Sequence, residues 1–299
     1  MRQAHHLGVD IGGTKVAFRA EAGGRCVDES SFRWDPRHSA ERDLERLARH
    51  VGELRGRLAG PLRAVGVAMP GTVGPDGRVT AWPSRPEWNG LDLDGALRAL
   101  FPGAATARAD DGDLGALAEA RVSGCEDLLY LGVGTGIGGG FVLRGGLCPG
   151  PDRGSFELGH VIVELDGAPC LCGRRGCLQA LASGPATLDR AALLRGAPVA
   201  FEELVRGLDE GRSWAVAAVD RTSRALAAAV SGVQELLHPR LVVVGGGFAA
   251  GVPGIVTGVG AHLAALSRPG QSPPAVRPAA LGGLSSLHGA LALARLTAP

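Results

Sequence analysis

Lysine is nearly absent from this sequence of 299 residues: Lys15 is the only one among the 31 lysines and arginines. An excess of either charge is also lacking, because 30 acidic residues leave a formal net charge of +1. A balanced charge gives no electrostatic basis for binding nucleic acid or an anionic membrane. No apolar run reaches the roughly 18–20 residues that a transmembrane helix needs, and no signal-peptide pattern opens the chain. We therefore expect a cytoplasmic protein without a nucleic-acid or membrane partner.

The length and composition are those of a globular protein with a large buried core. Apolar residues make up 45% of the chain and charged residues 20%, and 299 residues suffice for two domains. Predicted helices alternate with predicted strands, which is typical of α/β layers. The clearest predicted elements are a helix over 39–59, a buried strand over 62–73, helices over 91–102 and 113–124, a long helix over 212–238, a buried strand over 240–248 and a final helix over 285–296. The stretch 268–283 is predicted as a loop.

Glycine, at 48 residues, is far above its usual share of roughly 7% and is concentrated in a few loops. "HHLGVDIGGTKVAFRAEAGG" and "EDLLYLGVGTGIGGGFVLRGG" share one layout, an apolar run, a glycine turn holding a threonine, and a second apolar run. Two hairpins built on the same plan indicate an internally duplicated α/β protein.

Three of these glycine loops are candidate phosphate or nucleotide sites. Backbone N–H groups in such loops can surround phosphate oxygens, and a carboxylate at the end of a strand can hold Mg²⁺ through water. None matches the Gly-Lys-Ser/Thr phosphate loop or the dinucleotide fingerprint, and each alone is also compatible with a simple tight turn. The candidates are Asp10, Gly12, Gly13, Thr14 and Lys15 in the first loop, Gly134, Thr135 and Gly136 in the second, and Gly245, Gly246 and Gly247 in the third.

A cysteine cluster in the second half of the chain predicts a metal site. Cys170-x-Cys172-x4-Cys177, with His160 ten residues upstream, supplies three thiolates and an imidazole, a usual tetrahedral zinc set. A disulfide is the poorer explanation in a cytosolic chain, and chance clustering is the remaining alternative. Four protein ligands leave no open position, so the zinc is expected to be structural.

The three loops, in this order, resemble the phosphate 1, phosphate 2 and adenosine loops of the actin/hexokinase/Hsp70 superfamily of ATPases. Glu157-Leu158-Gly159-His160 followed by the cysteine cluster narrows the resemblance to the ROK family of bacterial sugar kinases, repressors and open-reading-frame products. The resemblance covers essentially the whole chain. It implies an α/β fold of two ribonuclease H-like, actin-like ATPase domains with an interdomain cleft. We place the smaller domain at residues 1–112 plus 288–299 and the larger domain, with the zinc site, at 113–287.

The resemblance also implies an activity, the ATP-dependent and Mg²⁺-dependent transfer of a phosphoryl group to the 6-hydroxyl of a hexose-like sugar. ROK repressors carry a winged helix-turn-helix before the first phosphate loop, and this chain begins at that loop, so a kinase is expected. By its match to the family motif, Asp111 is the general base that takes the proton of the attacking hydroxyl. The residues that the family motifs place against the sugar are Gly71, Asp110, Glu157, His160 and Gln179, with His160 also a zinc ligand.

Two of these positions depart from the family pattern. The family's usual Asn before the base is Asp110 here, and its usual Glu after the last zinc cysteine is Gln179. "RADDGDLGAL" holds three aspartates, and a helix start would need only one of them as a cap, the role we assign to Asp113. A second carboxylate beside the base incurs repulsion unless a positive charge faces it, and an ammonium on the sugar would do so. We therefore predict kanosamine, 3-amino-3-deoxyglucose, as the substrate, in an antibiotic pathway of a GC-rich actinobacterium.

Several alternatives stay open at this point. Glucose, an N-acyl-aminosugar or a C7-cyclitol could replace kanosamine, polyphosphate could replace ATP as the donor, and the chain could be a non-catalytic sugar sensor. Homodimerisation is expected from the family resemblance alone.

Overall fold

The computed structural model describes residues 4–35, 39–150 and 153–297. The chain divides into two compact units. Unit 1 comprises Met1–Ala118, Pro151–Ser155 and Leu284–Pro299, and unit 2 comprises Glu119–Gly150 and Phe156–Gly283. Each unit contains one five-stranded sheet with both antiparallel and parallel neighbours.

The sheet of unit 1 has the strand order β3-β2-β1-β4-β7. Strands β1 to β3 are antiparallel, whereas β4 and β7 run parallel to β1. The elements are, in chain order, β1 (His5–Ile11), β2 (Lys15–Ala22), β3 (Arg25–Arg33), α1 (Ala40–Arg57), β4 (Leu62–Ala68), β5 (Thr72–Val73), β6 (Val79–Ala81), α2 (Leu93–Leu100), β7 (Ala105–Ala109) and α3 (Asp111–Ser123), with a 3₁₀ turn at Pro86–Trp88.

The C-terminal helix α10 (Ser285–Thr297) completes unit 1 by packing on this sheet. A Cβ at Gly66, in the middle of β4, would stand 1.9 Å from the carbonyl oxygen of Ala290. Glycine is therefore required there, because any side chain would push the helix off the sheet. The core of the unit is rich in aromatic rings: three of the chain's four tryptophans, Trp34, Trp82 and Trp88, are buried in it.

The sheet of unit 2 repeats the plan, with the order β10-β9-β8-β11-β12. Strands β8 and β9 form the antiparallel hairpin, and β11 runs parallel to both β8 and β12. The elements are β8 (Leu128–Val133), β9 (Ile137–Leu143), β10 (Gly146–Cys148), α4 (Leu178–Ala182), α5 (Gly184–Arg195), α6 (Phe201–Asp209), α7 (Ser213–Leu237), β11 (Leu241–Gly245), α8 (Gly247–Gly251), α9 (Ile255–Leu266) and β12 (Ala275–Pro278), with 3₁₀ turns at Leu158–His160 and Gly282–Leu284.

Most predicted elements are confirmed, including both hairpins, the long helix α7 and the final helix. The predicted loop at 268–283 is wrong in part, because Ala275–Pro278 forms strand β12. Its proline, Pro278, is tolerated since β12 is the edge strand and pairs only with β11. Among the described residues, no helix is both long and apolar enough to cross a membrane.

The division between the units differs slightly from the predicted boundaries. Breaks were expected after 112 and before 288, whereas unit 1 extends to Ala118 and resumes at Leu284. The reason is local packing: a Cβ at Gly289 would stand 1.9 Å from the carbonyl oxygen of Leu114, so the first turns of α3 lie against α10. Residues 153–155, which no sequence feature distinguishes, also group with unit 1.

Candidate active site and zinc centre

Three parallel strands of unit 1 end at one edge of its sheet and bring the predicted residues of this unit together. The register pairs Asp10 with Ala68 and Ala68 with Ala109, so the chain leaves β1, β4 and β7 at the same level. Ligand sites of α/β sheets form where parallel strands end. The first glycine loop follows β1, the turn with Gly71 follows β4, and the aspartate triplet follows β7.

Asp10 is the penultimate residue of β1 and lies at this edge, just before the first glycine loop. Ser286 of α10 donates its hydroxyl to the Asp10 Oδ2 atom at 2.6 Å. Burial raises the pKa of the Asp10 carboxyl, and the bond from Ser286 and the charge of Lys15 oppose that shift. A half-buried carboxylate of this kind is stabilised by a cation, and Mg²⁺ favours carboxylate ligands.

The first glycine loop, Gly12 to Thr14, is a tight turn between β1 and β2. The Gly12 N–H donates to the Lys15 carbonyl at 3.0 Å, which closes the turn. Two side chains bind its carbonyls from the protein interior: the Trp34 indole donates to Gly12 at 2.8 Å and the Arg85 Nε atom to Gly13 at 3.1 Å.

The aspartate triplet begins helix α3, and its members have different surroundings. Asp110 caps the helix: its Oδ1 atom accepts from the Gly112 N–H at 2.9 Å and its carbonyl accepts from Leu114 at 3.0 Å. The assignment of the cap to Asp113 is therefore wrong; Asp113 is 4% exposed and lies in the first turn. Asp111, the predicted base, is the first residue of the helix and is half-buried.

Gly71 lies in the turn that follows β4, against the side chains of Met69 and Trp82. The Met69 N–H donates to the Ala109 carbonyl at 3.2 Å, which ties this turn to the end of β7, next to Asp110. The turn and the aspartates are therefore neighbours within unit 1.

The second glycine loop, Gly134 to Gly136, joins β8 and β9 in unit 2. Its ends meet through a bond from the Gly134 N–H to the Gly136 carbonyl at 2.9 Å, and the Gly134 carbonyl accepts from Gly184 of α5 at 2.8 Å. The side chain of Gln179 stands beside the loop, with Oε1 3.1 Å from the position of a Cβ on Gly136.

Glu157 and His160 are held next to the metal cluster by a short 3₁₀ turn. The His160 N–H donates to the Glu157 carbonyl at 3.0 Å, and Leu158 between them is buried in the core of unit 2. The Val161 carbonyl accepts from the Leu178 N–H at 2.8 Å, which joins this turn to helix α4. The Glu157 side chain is exposed.

The four predicted zinc ligands converge in unit 2. Ligand atoms of His160, Cys170, Cys172 and Cys177 all lie within 4.8 Å of one another. The Cys172 and Cys177 sulfurs are 3.6 Å apart, and the Cys170 sulfur is 3.9 Å from the His160 Nδ1 atom. Zinc–sulfur bonds of ~2.3 Å at tetrahedral angles place ligand atoms about 3.5–3.8 Å apart. The cluster therefore fits a structural zinc site.

The surroundings of the cluster favour thiolates unequally. The backbone N–H and guanidinium of Arg174 lower the pKa of Cys172 to about 6. Burial raises the pKa of Cys177 to about 11. Gln179 donates its amide to the Cys170 sulfur at 3.5 Å, so its side chain links the cluster to the second glycine loop.

The third glycine loop follows β11 and borders a cavity of about 300 Å³ within unit 2. Gly246 has a φ of 88°, and a Cβ there would stand 2.5 Å from the backbone of Val133, so no other residue fits. The cavity lining is largely apolar and small, and includes Gly245, Ala249, Ala250, Thr257, Ala279 and Gly282. This volume lies at the lower end of the range for small-molecule pockets.

The sequence did not indicate Ser286, Trp34 or Arg85 as neighbours of the first loop and of Asp10. Ser286 is 276 residues from Asp10, and Arg85 is 72 residues from Gly13. No spacing rule joins residues that only the tertiary fold brings together, and none of the three belongs to a recognisable motif.

Comparisons with known proteins identify the family of the chain. The chain matches the ROK family over residues 6–296. A kanosamine kinase from Amycolatopsis mediterranei is 66% identical over 298 residues, which span 100% of this chain and 98% of the relative.

Two solved structures are similar over nearly their whole length. A ROK hexokinase from Thermus thermophilus has a TM-score of 0.86 and 31% identity, with 98% of each chain covered. A ROK family glucokinase from Streptomyces griseus, solved with glucose and AMPPNP, has a TM-score of 0.82 and 25% identity, with 98% of this chain and 99% of the other covered. The predicted α/β, actin-like ATPase fold is thereby confirmed.

Proposed function

The chain belongs to the ROK family, and on this premise we propose that it is an ATP-dependent sugar kinase that phosphorylates the 6-hydroxyl of kanosamine. The assignment of kanosamine as the substrate rests on the 66% identity to a kanosamine kinase over the whole chain. Asp110, where the family resemblance implies Asn, supports it from the chemistry of this chain's own residues. The enzyme is a phosphotransferase with an alcohol group as acceptor.

Within unit 1, Asp111 acts as the general base. It accepts the proton of the attacking hydroxyl while the phosphoryl group moves to that oxygen. Gly71 and Asp110 bind the sugar beside it, and the first glycine loop binds nucleotide phosphate through its N–H groups. Asp10 would hold the Mg²⁺ ion, which neutralises charge on the phosphates when bound.

Within unit 2, the second glycine loop binds phosphate, and Glu157 and His160 bind sugar hydroxyls. His160 and the three cysteines would hold a zinc ion, which would fix the His160 ring and, through the short turn, Glu157. Gln179 takes the position of the family's usual Glu. Its amide donates to the Cys170 sulfur, so that N–H donor binds the cluster and not the sugar.

The cavity beside the third glycine loop is the proposed adenine site. Its apolar lining of small side chains suits a flat ring. Ala250→Leu should fill part of the cavity from the exposed face of α8. We expect the KM for ATP to rise roughly tenfold, as overpacking would predict, with the KM for sugar unchanged. Steady-state kinetics measure both, and Ala265→Leu, on the exposed face of α9 outside the lining, is the matched control. An unchanged KM for ATP in the Ala250 variant would place adenine elsewhere.

Asp110 is proposed to bind the 3-ammonium group of kanosamine. Asn and Asp cap helices about equally well, so the cap on α3 does not explain a carboxylate in place of the family's amide. The two side chains differ in charge: a carboxylate only accepts, and it forms charge-assisted bonds with an ammonium group. An ammonium there also offsets the repulsion between Asp110 and Asp111.

Asp110→Asn should therefore change the substrate preference and leave the fold intact. The variant keeps the helix cap and loses the charge. We expect kcat/KM for kanosamine to fall by roughly 10- to 100-fold, the range for a lost charge-assisted hydrogen bond, and kcat/KM for glucose to rise. Circular dichroism checks the fold, and initial rates with both sugars check the preference. An unaltered ratio between the two sugars would remove Asp110 from the recognition of the amine.

The proposed activity is tested by assaying a panel of sugars with ATP and, separately, with polyphosphate. The panel consists of kanosamine, glucose, an N-acyl-aminosugar and a C7-cyclitol. We expect ATP with kanosamine to give the highest kcat/KM, and no turnover with any pair would leave a sugar sensor as the function.

A homodimer and a place in antibiotic biosynthesis are further parts of the proposal. Sedimentation would test the homodimer, and product analysis of the producing cells would test the place in antibiotic biosynthesis. We also propose a cytoplasmic location, where ATP is available.

A further inference from the structure

Two buried side chains of unit 1 hold the carbonyl groups of the first glycine loop, although neither has a role in the proposed reaction. The indole N–H of Trp34 donates to the Gly12 carbonyl at 2.8 Å. The Nε atom of Arg85 donates to the Gly13 carbonyl at 3.1 Å. Trp34 is 6% exposed and Arg85 is 3% exposed.

The Arg85 side chain is held by Gly13, by Asp43 and by the ring of Trp34. Its NH1 atom donates to the Asp43 Oδ2 atom at 2.6 Å, and both side chains are 3% exposed. The Trp88 indole donates to the same oxygen at 2.9 Å. The guanidinium stacks on the Trp34 ring, 4.4 Å from its centroid. We call these four residues, Trp34, Asp43, Arg85 and Trp88, the loop bracket.

The loop bracket contributes less stability to the core than apolar side chains would. A buried ion pair contributes little net stability, because desolvation of the two charges offsets their attraction. Apolar side chains of similar volume would pack there without that cost. What the pair provides is a donor held at a fixed position beneath the Gly13 carbonyl, because the bond to Asp43 fixes the guanidinium.

The position of these donors determines where the loop's own N–H groups point. In a trans peptide the C=O and N–H bonds point to opposite sides. Trp34 turns the carbonyl of the Gly12–Gly13 peptide inward, so the Gly13 N–H points away from the bracket. Arg85 does the same for the Gly13–Thr14 peptide, and the Thr14 N–H points away as well. Two glycines in succession would otherwise leave these peptides free to rotate.

We propose that Trp34 and Arg85 are positioning residues that preorganise the Gly13 and Thr14 N–H groups for the phosphates of ATP. The inference rests on the proposed function, since it takes the first glycine loop as a phosphate site. Donors fixed before the ligand arrives bind a charged group more strongly than donors that must be ordered on binding. The bracket therefore acts on the phosphates and not on the nucleoside or the sugar.

Trp34→Phe tests this with a small change. Phenylalanine keeps an aromatic ring beneath the Arg85 guanidinium, removes the N–H that binds Gly12 and also removes one ring of the indole. The affinity for adenosine reports whether that loss of packing disturbs the unit as a whole. We expect the Kd for AMPPNP, measured by calorimetry, and the KM for ATP to rise roughly three- to tenfold, as for one lost hydrogen bond. The Kd for adenosine, which has no phosphate, and the KM for the sugar should stay at their wild-type values.

The matched control is Trp214→Phe in unit 2. Trp214 also stacks under an arginine, with Arg195 5.3 Å from its ring centroid, so the same chemical change is made far from the loop in sequence. The affinities of the Trp214→Phe variant for AMPPNP and adenosine should equal those of the wild type.

Arg85→Lys keeps the charge and loses the planar fork that reaches both Asp43 and Gly13. It should raise the Kd for AMPPNP at least as much as Trp34→Phe.

The outcomes separate the inference from the proposed function. Wild-type protein that binds AMPPNP no better than adenosine and transfers no phosphate from ATP would overturn the proposed function, and the inference with it. An active wild type whose Trp34→Phe variant binds AMPPNP with unchanged affinity would overturn the inference alone. Equal losses of AMPPNP and adenosine affinity would also overturn it, because they would show a general disturbance of unit 1.

Discussion

Asp111→Asn is expected to fold normally and to lose turnover by roughly 10²–10⁴-fold, the range for loss of a general base. The amide has nearly the shape of the carboxylate, and Asp110 continues to cap α3, so the helix start should be unaltered. What is lost is the group that accepts the proton of the sugar hydroxyl. The KM values for sugar and ATP should change little, because Asp111 acts on the transferred proton more than on binding. Steady-state kinetics with saturating ATP measure the effect.

Asp113→Asn provides the matched control in the same helical turn. Asp113 lies two residues further along α3 and is 4% exposed, so its substitution tests whether any loss of charge in this turn is harmful. We expect kcat to stay within about tenfold of the wild type, well short of the loss expected for the base. A kcat for Asp111→Asn near the wild-type value, with a raised KM for sugar, would assign Asp111 to binding instead.

Removal of the zinc is expected to have the largest effect on stability. Structural zinc binds with an apparent free energy of about 10–16 kcal/mol in small folded sites, which is comparable with the whole stability of a domain, about 5–15 kcal/mol. Cys177 is fully buried, and Cys177→Ser should lose the metal and lower the unfolding temperature sharply. Metal analysis should find one zinc per wild-type chain, and thermal unfolding measures the consequence.

Cys26→Ser is the control for this experiment. Cys26 is exposed on β3 of unit 1 and lies outside the cluster. Its variant should keep one zinc per chain and unfold at the wild-type temperature. Active wild-type enzyme with less than half an equivalent of zinc, or a Cys177 variant that retains its metal and stability, would contradict the structural role.

Local sequence patterns predicted the two hairpins and the metal cluster. Glycine loops between apolar runs predicted both hairpins, and Cys-x-Cys-x4-Cys with His160 predicted a cluster whose ligand atoms do converge. Strand β12 was missed because a four-residue edge strand that ends in Pro278 and follows two further prolines has the composition of a loop. The cap on α3 was assigned to Asp113 because three aspartates in four positions all have the same capping propensity, and only the backbone geometry selects Asp110.

The contacts that sequence reasoning missed are those made by side chains distant in the chain. Ser286 reaches Asp10 only because α10 returns to the sheet of unit 1. The pairing of Arg85 with Asp43 places an ion pair in a core where apolar residues are the default expectation. Such contacts depend on the finished packing, and neither propensity nor periodicity encodes them.

The most direct test of the central claim is the ratio of kcat/KM for kanosamine to kcat/KM for glucose in the wild-type enzyme with ATP and Mg²⁺. Coupled detection of ADP gives both values, and phosphorus NMR of the products gives the position of the phosphate. The account predicts a preference for kanosamine of roughly tenfold or more, from one charge-assisted bond, with phosphate on the 6-hydroxyl. A ratio of one or below, or phosphate on another hydroxyl, would contradict it.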